Sequence, residues 1–316
     1  FTGEGGLADA AEVAELAAKN IGVPQKEVLV ASTGVTGQPL PMELIRDGMG
    51  NIVLSRDGGH ELARAIMTTD TKPKEVAVRA GGDGFVIGGI AKGSGMIHPE
   101  LATLLCFLTT DAAVDLDFVK LALSRAVAVS FNMVSIDGDT SPNDMVLIMA
   151  NGQAGNEIIS ADSRQAESFQ QGLDQVCIRL AKSIAADGEG ASKLIEVTVS
   201  GAASVAEARA AARTIVSSSL VKAAVHGSDP NWGRVVAAVG RSGAEVTESG
   251  IDLYIGDTCL VRAGKPLPFN RQRVVDLLSQ SQVAISLNIN LGTAEATAWG
   301  CDLSEEYVTI NSQYTT

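Results

Sequence analysis

A chain of 316 residues is long enough for two domains or one large α/β unit. With 46 % hydrophobic and 19 % charged residues it can bury a sizeable core, which excludes wholesale disorder. A net charge of −13 and only 4 % aromatic residues speak against a nucleic-acid partner and against an anionic membrane surface.

The predicted elements, in chain order, begin with a helix over Ala10–Asn20, stopped by Gly22. Glu27–Ala31 (EVLVA) reads as a short buried strand running into the glycine-rich turn 32–37. Met42–Met49 and His60–Thr68 read as helices. Val76–Ala80 and Phe85–Ile90 read as a hairpin around Gly81-Gly82-Asp83-Gly84. A glycine-punctuated loop, Lys92–Pro99, leads into the apolar run Leu101–Leu108. Asp115–Val129 has helical spacing, and Met145–Met149 reads as a buried strand. Gln165–Ala186 is a long amphipathic helix, followed by a strand at Leu194–Val199. Val205–Ile215, Leu220–Val225 and Val235–Val239 read as helices. Strands are expected at Leu253–Ile255, Val283–Leu287, Ala296–Trp299 and Tyr307–Ile310. The mixture lacks a strict βαβ alternation and favours helices layered on sheets.

No apolar run reaches the ~18 residues of a membrane-spanning helix, and no basic-then-apolar signal peptide opens the chain. Four scattered cysteines, Cys106, Cys177, Cys259 and Cys301, favour a reducing cytoplasm over a disulfide framework. His60, His98 and His226 lack metal-site spacing, so no metal is expected.

Several short motifs fail. Gly82-x-Gly84 meets Ile87 where a dinucleotide fingerprint needs glycine, and no phosphate-binding GxxxxGK[ST] is present. His98-Pro99-Glu100 has no PCxxC to follow it. Ser219-Leu220-Val221-Lys222 fits SxxK without its usual companions and reads as a helix start with a lysine.

Longer matches carry the chemistry. The segment 92–107 (KGSGMIHPELATLLCF), the turn 31–37 (ASTGVTG) and the segment 65–74 (AIMTTDTKPK) occur in that order. They are followed by 130–141 (SFNMVSIDGDTS), Asn143-Asp144-Met145-Val146, 225–234 (VHGSDPNWGR) and 311–316 (NSQYTT). Together they resemble the ornithine acetyltransferase family, also called bifunctional glutamate N-acetyltransferase, of the cyclic arginine pathway. The resemblance spans essentially the whole chain.

What it implies is specific. The fold is a four-layer α/β/β/α sandwich. The precursor cuts itself between Ala102 and Thr103, giving an upstream chain (1–102) and a downstream chain (103–316) that share one core and pair as a heterotetramer of two of each. Taken alone, Thr103 reads as a β-branched residue in a core strand. Within the resemblance it becomes the nucleophile, and its freed α-amine becomes the base that a weak hydroxyl nucleophile needs. Lys92 is the cation that lowers the amine's pKa and lies on the substrate side. The Thr33 hydroxyl and Gly34 amide form the oxyanion hole. Thr68, with Thr69 as the alternative, Glu189, Asn311 and Thr316 bind substrate. Ser192 stands where the family often has threonine. Phe1–Gly6 resembles an internal family segment, which implies further strands upstream of it.

The implied reaction is ping-pong acetyl transfer from N-acetylornithine to L-glutamate, with no metal or organic cofactor. Some relatives also accept acetyl-CoA as co-substrate, which leaves that second activity open. Two other readings compete: an N-terminal-nucleophile aminopeptidase or amidase of related fold, and a silent binding module with Thr103 in its core.

Overall fold

The 21-residue helix at Ala166–Ala186 organises the fold. It buries Phe169, Leu173, Val176, Cys177, Leu180, Ala181 and Ile184, a stripe at helical spacing, and leaves Glu167, Gln171, Gln175 and Arg179 exposed on the opposite face. The computed structural model describes residues 2–82, 84–98, 104–141 and 143–313. Three positions singled out by the sequence, Ala102, Thr103 and Thr316, lie outside the described residues.

The chain passes through α1 (Gly3–Ile21), α2 (Met42–Met49) and α3 (Gly59–Ala65) into β1 (Lys74–Ala80), β2 (Phe85–Lys92) and β3 (Leu105–Thr110). Next come α4 (Leu116–Val129), β4 (Val134–Ser135), β5 (Met145–Ala150) and the long helix α5 (Ala166–Ala186). β6 (Leu194–Ala202) precedes α6 (Val205–Val216), α7 (Ser219–His226) and α8 (Trp232–Gly240). The last third holds β7 (Asp252–Ile255), β8 (Thr258–Arg262), β9 (Lys265–Pro266), α9 (Arg271–Leu278), β10 (Gln282–Asn288), β11 (Ala294–Cys301) and α10 (Glu305–Gln313). None of the described helices is long and apolar enough to cross a membrane.

The strands form a mixed α/β fold with two sheets, ordered β1-β2-β3-β5 and β4-β11-β6-β10-β7-β8-β9. In the first, β1 and β3 run antiparallel to β2, and β5 joins β3 in parallel after the α4 crossover. In the second, the centre is β6, parallel to β10 and antiparallel to β11. Helix α5 packs against β1 and β2 on one side and β11 and β6 on the other, so it separates the two sheets. Helix α6 covers β6 and β11 from the second sheet's far face. The apolar interior is continuous across these layers, from Val78, Ile87 and Leu108 to Val197, Ile285 and Leu287.

Local signals set several boundaries. The Asp115 carboxylate accepts the N–H groups of Asp117 and Phe118, both at 3.0 Å, and so caps α4. Ser204 and Asn270 cap α6 and α9 in the same way. The hairpin, α2, α4, α5 and the three helices α6 to α8 fall where periodicity puts them.

Two expectations fail. Glu27–Ala31 is no strand: Gln25–Glu27 is a 3-10 turn, the following stretch is irregular, and Leu29 is 69 % exposed. An apolar run makes a strand only where a neighbour accepts its backbone bonds, and the described residues offer none there. Tyr307–Ile310 is also no strand but part of α10. Its β-branched residues mislead, whereas Ser304 accepting the Tyr307 N–H and Glu305-Glu306 in the first turn are helix-start features.

Candidate active site

The connection between β2 and β3 is the centre of the site. Lys92 ends β2 and pairs in register with Leu105, the first residue of β3. The loop 93–98 leaves β2 under tight control. Gly93 N–H donates to Asp70 at 2.7 Å, and the Met96 and Ile97 N–H groups donate to the Asp137 carboxylate at 2.6 and 3.0 Å. Met96 is held at a φ of 53°, which is rare for a side chain of that size.

Beside this loop lies a cavity of about 440 Å³, the size of an amino-acid or cofactor pocket. Its lining holds Thr33, Gly34, Thr68, Lys92, Glu189 and Asn311, six of the positions singled out by the sequence. They come from remote segments: the 28–41 loop, the turn before β1, the end of β2, the turn after α5, and α10. Of the paired threonines, Thr68 is exposed while the Thr69 hydroxyl is tied to Ser94 Oγ at 2.6 Å. Both threonines line the cavity.

Glu189 is 7 % exposed. Its own N–H donates to the Ser94 carbonyl at 2.8 Å, and its carboxylate accepts the Asn311 side-chain amide at 2.8 Å. A Cβ on Gly95 would stand 2.6 Å from that carboxyl group, so only glycine lets the loop come this close. Gly190, at a φ of 68°, packs against the root of α10, where a Cβ would meet the Tyr307 amide at 2.5 Å. Helix α10 thereby lays Tyr307 and Asn311, four residues apart, on the face that lines the cavity.

The electrostatics are those of a pocket that holds opposed charges. Lys92 is 3 % exposed, and burial pulls its ammonium below the ordinary lysine value, against the opposing pull of Asp70. Burial pushes Asp137 above the usual carboxylate range despite its backbone donors. Burial together with Asp137, Glu189 and Asp139 pushes the Tyr307 phenol well above its ordinary value, so it stays neutral.

Sequence reasoning missed the frame behind these groups. The Lys74 ammonium, buried at 2 % exposure, sits 2.6 Å from both Asp70 and Asp187. Asp187 also takes the Thr71 N–H and hydroxyl. Asp70 and Lys74 were visible only as members of the TTDTKPK segment, and Asp137 as one of SIDGD.

The model of the family described as the ArgJ family matches residues 1–316. The chain belongs to the ArgJ family. The ArgJ of Dehalococcoides mccartyi, named an arginine biosynthesis bifunctional protein, is 51 % identical across all of this chain and 78 % of its own length. The ArgJ of Symbiobacterium thermophilum, under the same name, is 52 % identical across all of this chain and 79 % of its own length. The crystal structure of the Bacillus halodurans ArgJ protein superposes with a TM-score of 0.64 at 44 % identity, covering 65 % of this chain and 97 % of that one.

Proposed function

We propose that this ArgJ-family chain is an autoprocessing acetyltransferase that carries the acetyl group of N2-acetyl-L-ornithine to L-glutamate in arginine biosynthesis. The observation that carries the reading is the meeting of Thr33, Gly34, Thr68, Lys92, Glu189 and Asn311 in one cavity against the β2–β3 connection. The names borne by the relatives agree with it.

The first step is hydrolysis of the Ala102–Thr103 peptide bond. Water ends as the Ala102 carboxylate and the Thr103 amine. Both pieces keep one core, because β1 and β2 lie upstream of the cut and β3 and β5 downstream, all in one sheet.

In the transfer, the Thr103 hydroxyl adds to the acetyl carbonyl while its α-amine takes the hydroxyl proton. The Thr33 hydroxyl and Gly34 N–H donate to the oxyanion. The C–N bond breaks, the proton passes to the departing ornithine nitrogen, and an acetyl ester remains on Thr103. Glutamate's amine then attacks the ester and returns the hydroxyl to Thr103. Lys92 keeps the Thr103 amine neutral by charge repulsion. Glu189, held by Asn311, pairs with the substrate's ammonium, and Thr68 and Thr316 complete the substrate wall. The chemistry draws on no metal or organic cofactor, and acetyl-CoA serves as an alternative donor by the same ester.

The proposal includes the four-layer α/β/β/α sandwich, the heterotetramer of two upstream and two downstream chains, and a cytoplasmic setting. Since α5 separates the two described sheets, the sandwich's second β layer belongs on the far face of the four-stranded sheet. There Ile90, Phe107 and Leu147 are only half-buried.

N-terminal sequencing of the purified protein, paired with an acetylornithine–glutamate exchange assay, tests this. A new terminus at Thr103 with glutamate-dependent exchange supports it. An uncut chain with full exchange overturns the nucleophile, and acetate release indifferent to glutamate makes the protein an amidase.

A further inference from the structure

Leu104 carries the peptide bond to Thr103, and both of its backbone groups are held by one short segment. Its N–H donates to Asp144 Oδ1 at 2.9 Å. Its carbonyl accepts the Met145 N–H at 3.0 Å. Its side chain is 1 % exposed. The next residue, Leu105, is already in the sheet, paired with Met145 on one side and Lys92 on the other. The Asp144 carboxylate therefore acts on the very amide that joins residues 103 and 104, and it feels the charge of Lys92. The mechanism above gives it no task.

We propose that Asp144 is the positioning residue for Thr103: by gripping the 103–104 amide it holds the freed chain end in register once the upstream bond is gone. The inference rests on the reading of Thr103 as a self-released nucleophile. Before scission residue 103 is tethered on two sides. Afterwards its one covalent tether is Leu104, and a chain end otherwise samples many orientations. Nucleophilic attack needs the reacting atoms held in a narrow geometry. A hydrogen bond to a carboxylate is stronger than one to a neutral acceptor, which suits a grip on a single amide. Burial lifts Asp144 to about 6, while the Leu104 N–H and Lys92 pull the other way, so the group is anionic at neutrality. Its charge balances that of Lys92.

The test uses the full chain with Asp144→Ala and Asp144→Asn. Asparagine keeps a carbonyl acceptor in the same place, and alanine keeps none. Thermal melting confirms folding, gels follow the cut over time, and exchange rates are normalised to cut chain. The alanine variant should cut at least about tenfold more slowly and lose about tenfold in kcat, with KM for acetylornithine within about twofold. The asparagine variant should recover most of the cutting. The acid limb of its kcat/KM profile should move to lower pH, because the Thr103 amine has lost a neighbouring negative charge. An alanine variant that cuts and transfers like the wild type overturns the proposal, as does an asparagine variant as impaired as alanine. Should the alanine variant not fold, the asparagine variant decides: cutting supports the grip, and failure to cut overturns it. Sequencing of the wild-type terminus separates these results from a failure of the parent reading.

Discussion

Lys74 and Asp187 stand 113 residues apart in the chain and 2.6 Å apart in space. The same ammonium meets Asp70, and Asp70 takes the Gly93 N–H. One buried cation thus joins the three turns that carry Thr68, Lys92 and Glu189. Replacing it by methionine removes the direct ion-pair partner of both Asp70 and Asp187 and leaves Asp70 only the more distant Lys92, a change that typically costs about 3–5 kcal/mol. Lys74→Met should lower the urea midpoint accordingly and raise KM for acetylornithine. A midpoint within error of wild type would remove Lys74 from this role.

Gly95→Ala puts a methyl group where the Glu189 carboxyl stands, with 2.6 Å between them. The loop or the glutamate must move. The expected result is a rise in KM of about tenfold, equivalent to roughly 1.4 kcal/mol of lost binding, at a smaller change in kcat. Steady-state kinetics on the variant, with circular dichroism as the folding control, checks it.

Ser192 donates to Asp302 Oδ2 at 2.5 Å, beside the His226 ring at 2.8 Å on the same oxygen. This cluster fixes the turn from β11 into α10. Ser192→Ala should cost about 1.5–3 kcal/mol, as expected for a hydrogen bond to a charged group. Ser192→Thr, which restores the residue common in the family, keeps the hydroxyl and should be close to neutral. Equal melting temperatures for all three proteins would contradict this.

Stability should peak well on the acid side, near the ordinary carboxylate value. Burial lifts Asp144 to about 6, so between that pH and the ordinary 3.8 the folded chain holds a proton that the unfolded chain releases. Acidification through that window stabilises. The charge of −13, eased by the same protons, acts in the same direction. Asp70 and Asp302 work oppositely. Burial would raise both, but the Gly93 N–H and Lys74 for the first, and Ser192 and His226 for the second, outweigh it and hold them below 3.8. Their contribution is complete above the ordinary value and is lost as pH falls through their lowered ones. Urea unfolding from pH 7 to pH 3 should therefore show a rise and then a fall, and a steady decline from neutrality would refute the assignment.

Much of the fold was legible in the chain, because α2, α4, α5 and the β1–β2 hairpin write their own periods and α4 also its own cap. The misread pieces depend on distant partners. Leu29 and its neighbours form an apolar run like a buried strand but find no edge to join among the described residues. Tyr307–Ile310 has strand composition, yet Ser304 and the acidic pair before it start a helix. The site residues were legible through family resemblance alone, since Thr68 or Glu189 taken singly is an ordinary polar residue. Lys74, Asp137 and Asp144 escaped for a physical reason. Their importance lies in bonds to Asp187, to the Met96 amide and to the Leu104 amide, contacts that sequence spacing does not express.

The pairing of β2 with β3 has a practical consequence. The segment before residue 103 ends in a two-stranded ribbon, and such ribbons rarely survive alone in water. Its third strand is supplied from beyond that residue. Two messages, one encoding each half, should therefore yield halves that are insoluble or degraded when made singly and mutually rescued when made together, so that a split gene would assemble a working protein without self-cleavage once the initiating methionine ahead of Thr103 is removed.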